Sequence, residues 1–388
     1  MDFSLSEEQQ AIQENVARVC AGFDDDYWLD HDRTAEFPFD FHRAMADGGW
    51  LGITMPEEYG GAGLGVTEAA LMMHAVAGSS GGMSAASAIH INLFGPHPIV
   101  VFGTDDQKRR WLPDIVQGKV KTAFGVTEPD AGLNTTAITT RAVRDGNGYK
   151  VHGKKLWTTT AQEADKYMLL TRTTPKEEVD RRTDGLTLFY TDFDRTYCDA
   201  RVIPKMGRAA VDSNEVFIDG LPIPEEDRIG EEGKGFYYLL HSLNPERILV
   251  GIEAIGIGQN ALNRAATYAR DRIVFDRPIG QNQAIQHPLA ENWMELQAAW
   301  LMAMQAASLY DGGEDCGPQA NAAKYLGAEA GFKACTQAVM THGGMGYAKE
   351  FQVERLMREV MIARLAPVSP QLILCNIAEK VLGLPKSY

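Results

Sequence analysis

Cysteine is scarce in this chain and scattered along it. There are five in 388 residues, Cys20, Cys198, Cys316, Cys335 and Cys375, and none forms a Cys-x-x-Cys pair. That spacing argues against a zinc site and against a disulfide framework. The nine histidines include no His-x-x-x-His pair, so no metal is expected. Positive charge is short as well: 37 Lys and Arg stand against 52 Asp and Glu, a net charge of −15. Duplex nucleic acid is held through a basic footprint, so no nucleic-acid partner is expected. An anionic ligand would need local Arg, Lys or helix-terminal donors. A run of about 18 apolar residues is missing, so no membrane span is expected. The stretch Met1 to Gln9 carries neither an Arg-rich nor an apolar targeting segment, and a cytoplasmic location is expected.

What is present divides into three parts, which predict an α+β fold. Residues 1–120 read as an all-helical domain. Ser6 followed by Gln9 is a capping-box signal, and Ile12, Val16 and Val19 then recur at helical spacing. Gly60 to Gly65 is glycine-rich, but its spacing is wrong for a dinucleotide fingerprint, so it reads as a connector before a helix near Thr67. Residues 121–232 read as a β domain. Asp145-Gly146-Asn147-Gly148 between alternating runs is a hairpin signature. Strands are expected at 166–171, 186–191 and 216–218, with Leu221-Pro222-Ile223-Pro224 ending the strand region. Residues 233–388 return to helical spacing, with helices expected over 283–310, 318–342, 349–364 and 370–382, a bundle. The series Trp293, Leu296, Trp300, Met304 reads as core.

Two segments carry chemistry. Phe124-Gly125-Val126-Thr127-Glu128-Pro129 runs off a strand into a Gly/Pro loop that can offer backbone N–H groups and the Thr127 hydroxyl. Trp157-Thr158-Thr159 places an aromatic beside hydroxyls, which suits a flat heteroaromatic ligand. A turn and a core tryptophan are the plainer readings of each segment alone.

Together these segments resemble the flavin-binding segments of the acyl-CoA dehydrogenases. The resemblance extends through Arg270 to Gly280, where Asp276 replaces the family's usual Gly, then Gln283 to Gln286, then Gly343-Gly344-Met345-Gly346-Tyr347. It implies an acyl-CoA dehydrogenase-like architecture with a central β-barrel, and FAD as cofactor. Phe124, Val126, Thr127, Trp157 and Thr159 would hold the flavin ring. Arg272, Phe275, Gln283, Gly343 and Gly344 would serve the pyrophosphate and adenine portion, largely from a neighbouring subunit of a homotetramer. Ser369 and Gln371 are assigned to the cofactor on the same basis. An acyl-CoA thioester as substrate and an electron-transfer flavoprotein as acceptor are also implied.

The implied reaction removes an α-proton and a β-hydride, so it needs a base. In most members a Glu follows the last long bundle helix, and that position here is Pro367. A second group of members, the isovaleryl-CoA and long-chain types, carries the Glu on the first bundle helix before an Arg. Here that region reads Leu243-Asn244-Pro245-Glu246-Arg247, and Glu246 is the expected base. Glu246 is also readable as a first-turn residue after an Asn244 cap, and Pro245 either begins a helix or kinks one. Leu133, Tyr237, Asn244, Arg247, Pro367 and Val368 are expected on the substrate side. Pro367 lacks an N–H, so the thioester carbonyl would need a shifted donor such as Val368. Two rivals stay open at this point: an acyl-CoA oxidase or desulfinase-like relative, separable by oxygen consumption, and a DNA-associated or scaffold flavoprotein of the same fold, separable by gel shift.

Overall fold

The computed structural model describes residues 4–387. The N-terminal part is helical: α1 (Glu7–Cys20), α2 (Asp25–Thr34), α3 (Phe39–Asp47), α4 (Val66–Ala77), α5 (Gly82–Phe94), α6 (His97–Phe102) and α7 (Asp105–Val116). The expected capping box starts α1: the Ser6 hydroxyl accepts from the Gln9 N–H at 3.1 Å, and Gln9 Oε1 accepts from the Ser6 N–H at 3.1 Å. Ile12, Val16 and Cys20 then face inward. After the glycine connector, α4 begins at Val66, and its first N–H groups are satisfied from far away. Asp311 accepts from Val66 N at 2.7 Å, Thr67 N at 2.8 Å and Thr67 Oγ1 at 2.6 Å. The apolar stretch of α5 and α6 is an interior element; nearly all of α5 is buried.

Eight strands follow: β1 (Thr122–Gly125), β2 (Arg141–Asp145), β3 (Gly148–Thr159), β4 (Lys166–Arg172), β5 (Leu186–Asp192), β6 (Cys198–Val202), β7 (Ser213–Pro224) and β8 (Arg228–Ile229). They form one mixed sheet in the order β6-β7-β3-β2-β4-β5-β8, with β1 parallel to β4. The implied barrel is corrected here: among the described residues β6 pairs only with β7 and β8 only with β5, so the sheet stays open. Period-two alternation looks the same in open and closed sheets, so it could not decide this. In β4, Met168 and Leu170 pack under Trp111, Leu112 and Ile115 of α7, while Tyr167 and Leu169 face a second core with Val151, Phe189 and Val216. The hairpin forms as expected, with Asp145 opposite Gly148. Leu221 to Pro224, expected to end the strand region, lie inside β7. Pro222 pairs with Lys150 beyond the reach of β6, an edge where its missing N–H is tolerated.

The C-terminal part holds α8 (Gly235–Asp271), the short hairpin β9 (Ile273–Val274) and β10 (Arg277–Pro278), α9 (Gln283–Asp311), α10 (Gly317–His342), α11 (Val353–Leu365) and α12 (Pro370–Lys380). One hydrophobic core joins α1–α5 to α8–α11. The crossing of α8 and α10 is set by glycines. A Cβ on Gly331 would lie 2.2 Å from the Ala254 carbonyl oxygen, and one on Gly327 2.5 Å from that of Gly251. Pro245 sits inside α8, ten residues past its start, so the Asn244-cap reading is set aside. Of the expected core series on α9, Leu296 is buried, but Trp293 is 53% exposed beside exposed Met294 and Leu301. An apolar stripe does not say whether its own chain or another copy covers it.

Candidate functional site

The loop after β1 is built around one carboxylate. Glu128 accepts from Thr139 N at 2.6 Å, Thr139 Oγ1 at 2.9 Å, Thr140 N at 2.9 Å and Lys155 Nζ at 2.9 Å. Lys155 also donates to the Val126 carbonyl at 3.1 Å, and the Leu156 N–H donates to the Thr127 carbonyl at 2.8 Å. These bonds bring residues 124–127 against residues 155–159, so the two segments singled out in the sequence form one surface. Burial opposes the Glu128 charge, but Lys155 and the threonine donors outweigh it and hold the carboxyl down at about 2. Burial pulls Lys155 down to about 8.

Next to Lys155 the β3–β7 register shifts by one residue, a bulge. Trp157 lies in it with φ +60°, and its indole is 53% exposed. Phe124, Val126, Thr127 and Thr159 are partly exposed on the same surface. A strained backbone that turns a large aromatic outward, next to two threonine hydroxyls, suits a flat polar-edged ring such as a flavin. The residues present therefore fit the ring portion of FAD.

The first third of α8 supplies the second half of the site. Three of the described glutamates are buried, and all three are taken up by donors. Glu128 is held as above; Glu359 accepts from Ser84 N, Ser84 Oγ and Arg355; Glu253 bonds His90 Nδ1 at 2.5 Å. Glu246 differs from them: it is half-buried on α8, and among the described residues no hydrogen bond reaches its carboxylate. Burial pushes Glu246 up to about 7; the charges of His90 and Arg247 pull the other way, and Glu253 adds to the rise. A ring chain links this region to the flavin surface: His90 to Phe94 at 4.5 Å, then Phe94 to Phe124 at 5.3 Å. A cavity of about 130 Å³ adjoins it, lined by Leu93, Phe94, Val100, Pro245, Leu249 and Tyr310 among others.

The remaining expected residues fall in several places. Arg247 is largely occupied: it donates to Asn321 Oδ1 at 2.5 Å, Asn244 Oδ1 at 2.8 Å and the Leu243 carbonyl at 2.9 Å. Tyr237 shares a hydrogen bond with Thr183 at 3.1 Å, and Leu133 is exposed on the loop after β1. Pro367 follows a cis peptide bond between α11 and α12. The carbonyl of Val368 accepts from the buried Lys324 at 2.7 Å, and Ser369 caps α12 through Leu372 N at 3.3 Å, with Gln371 in its first turn. Arg272, Phe275 and Gln283 lie at the far end of α8 and the start of α9, exposed, with Phe275 93% open. Gly343 and Gly344 join them there, since Tyr268 of α8 stacks on His342 at 4.3 Å. A Cβ on either glycine would meet nothing within 4 Å, so this is a free surface in a single subunit. Sequence reasoning missed His90, Glu253 and the role of Glu128. The signal for the first two was there: each is a lone titratable residue in an apolar helical run.

Comparison with known proteins gives a consistent result. Three family models match: the acyl-CoA dehydrogenase N-terminal domain over residues 6–119, the middle domain over 123–221 and the C-terminal domain over 233–381. The chain is similar to the acyl-CoA dehydrogenase fadE12 of Mycobacterium bovis, 37% identical with 100% of this chain and 99% of that protein covered. It is also similar to the caffeyl-CoA reductase-Etf complex subunit CarC of Acetobacterium woodii, 32% identical over 85% of this chain and 86% of the other. The butyryl-CoA dehydrogenase structure from Megasphaera elsdenii superposes with a TM-score of 0.93 at 27% identity, covering 98% of this chain and 100% of that one.

Proposed function

The chain belongs to the acyl-CoA dehydrogenase family, as an FAD-dependent oxidoreductase acting on acyl-CoA, and on that premise we propose that Glu246 is the base that takes the α-proton of the thioester. The observation that carries this reading is the state of Glu246. Half-buried on α8, it accepts no hydrogen bond among the described residues, and desolvation lifts its proton affinity to the working range of a general base. Pro367 has no acidic group, so nothing competes at the other position. Bound FAD supplies the hydride acceptor at N5. The chain's own part is to hold the ring at Phe124, Val126, Thr127, Trp157 and Thr159, to keep water from the carboxylate, and to receive the proton on Glu246. The product is a trans-2-enoyl-CoA.

The test is Glu246→Gln. The variant keeps the visible flavin spectrum and loses acyl-CoA turnover by several orders of magnitude. Near-normal turnover would remove Glu246 from the mechanism.

We assign an electron-transfer flavoprotein as acceptor; similarity to a subunit of an Etf complex supports it. A homotetramer is the assembly we assign. From Glu246 to Arg272 the axis of α8 runs about 39 Å, at 1.5 Å per residue. That is beyond the reach of one extended dinucleotide, so Arg272, Phe275, Gln283, Gly343 and Gly344 would serve a neighbour's cofactor. Exposed Trp293, Met294 and Leu301 on α9 supply apolar surface for such contacts. All five cysteines are free, which suits the reducing cytoplasm we assign as its location.

A further inference from the structure

The helix α5 lies along α8 and carries one histidine in its buried face. His90 Nδ1 meets Glu253 Oε1 at 2.5 Å. Glu253 lies seven positions after Glu246, two helical turns on, so both carboxylates project from nearly one face of α8. Burial opposes the charge on His90, but the Glu253 carboxylate overcomes it, Glu246 adds to the rise, and Arg208 subtracts. Arg208 reaches this cluster from the loop before β7 and donates to Ser87 Oγ at 2.9 Å. The Arg247 charge, next along α8, also favours ionised Glu246.

We propose that His90 is a positioning residue for the reaction: held as an imidazolium by Glu253, it sets the proton affinity of Glu246. The inference rests on Glu246 being the base. Glu253 fixes the imidazole through Nδ1, keeps it cationic in a buried site, and is itself neutralised by it. Without the imidazolium, Glu246 would share its helix face with an uncompensated carboxylate. Two like charges at that spacing disfavour each other's ionised form. The pair His90–Glu253 thus keeps the half-buried base from being protonated throughout the physiological range.

The experiment is the pH profile of kcat/KM for the holoenzyme, whose acid limb rises with pH as the free-enzyme base ionises. In His90→Gln the limb moves to higher pH by about 1 unit, the order expected for one close charge. In Glu253→Gln the imidazole loses the carboxylate that keeps it charged in a buried site, so the limb again moves to higher pH, by less than in His90→Gln. The double variant matches Glu253→Gln, since neither carries the imidazolium. A purely structural role gives another pattern: loosening admits water and moves the limb down in every variant. An unshifted or lowered limb in either single variant overturns the proposal. Where His90→Gln does not fold with flavin, the direction in Glu253→Gln decides alone. Glu246→Gln separates the two readings. If it still turns over, the base assignment has failed; if it is inactive while the limb of His90→Gln is unmoved, only this inference has failed.

Discussion

The pair beneath the flavin loop, Glu128 and Lys155, gives an asymmetric prediction. Both side chains are buried, with 5% and 0% of their area exposed, and they meet at 2.9 Å. Truncation of one partner in a buried pair typically costs about 3–5 kcal/mol, because the other charge is left uncompensated. The two partners are not equally provided for. Without Lys155, Glu128 still accepts from Thr139 N, Thr139 Oγ1 and Thr140 N. Without Glu128, Lys155 keeps only the Val126 carbonyl, and the two threonine N–H groups lose their acceptor as well. Glu128→Ala should therefore cost the full ~3–5 kcal/mol, while Lys155→Met should cost about 2 kcal/mol, the loss of one charge-assisted hydrogen bond. The pH signature follows from the depressed Glu128 carboxyl. A group held at about 2 instead of 4.5 contributes stability that is fully present above about 4.5 and is lost as pH falls toward 2. Glu128→Ala should flatten the stability curve in that window. Urea denaturation of apo- and holoenzyme across pH 2–7, followed by far-UV circular dichroism, with flavin content read separately, measures both effects. If Lys155→Met is the more damaging change, or if Glu128→Ala lies within about 1 kcal/mol of wild type, the account of this loop is wrong.

Three further outcomes test the packing. Gly331→Ala should destabilise by at least the ~1–3 kcal/mol typical of overpacking, since the new Cβ would meet the Ala254 carbonyl oxygen at 2.2 Å and backbone cannot step aside; thermal melts check it. Asp311→Ala removes the cap that α9 provides for α4, a loss of about 1–2 kcal/mol, again read by melting. Trp293→Asp should leave the subunit fold within about 0.5 kcal/mol, because the indole is exposed in a single chain, yet dissociate the assembly in light scattering; an unchanged mass would exclude α9 from the interface.

Much of the fold was legible because local chemistry and tertiary packing agree along most of the chain. The helix expected over 283–310 is Gln283–Asp311, and that over 318–342 is Gly317–His342. The third runs Val353–Leu365, four residues later than the expected start, because 349–351 form a separate turn before it. The misreadings share one cause: a periodic pattern says which side is buried but not by what. Trp293 reads as core because apolar spacing does not reveal whether its cover comes from the same chain. Sheet closure failed for the same reason, since edge pairing is not written in alternation. Pro245 was ambiguous between helix start and helix interior, and Gly235 settled it: a Cβ there would be 2.4 Å from Leu188 N, so α8 begins where its backbone presses on the sheet.

The site was legible to a different depth. Residues 124–127 and 157–159 could be named from the sequence, and the Leu156 N–H and the Lys155 side chain join them through the Thr127 and Val126 carbonyls. The chemistry of Glu246 could not be read that way. A glutamate after a proline reads as a first-turn residue, and only three distant placements make it basic. The Ser84 donors and Arg355 go to Glu359, His90 goes to Glu253, and Lys155 with Thr139 and Thr140 goes to Glu128. These donor groups are thus committed to other carboxylates across the fold, and among the described residues Glu246 is left without one. A buried carboxylate without donors binds its proton tightly, and a nearby imidazolium limits how tightly. The base is therefore specified as much by the residues that do not touch it as by its own place on α8, which is why neither its position nor its neighbours in sequence could reveal its strength.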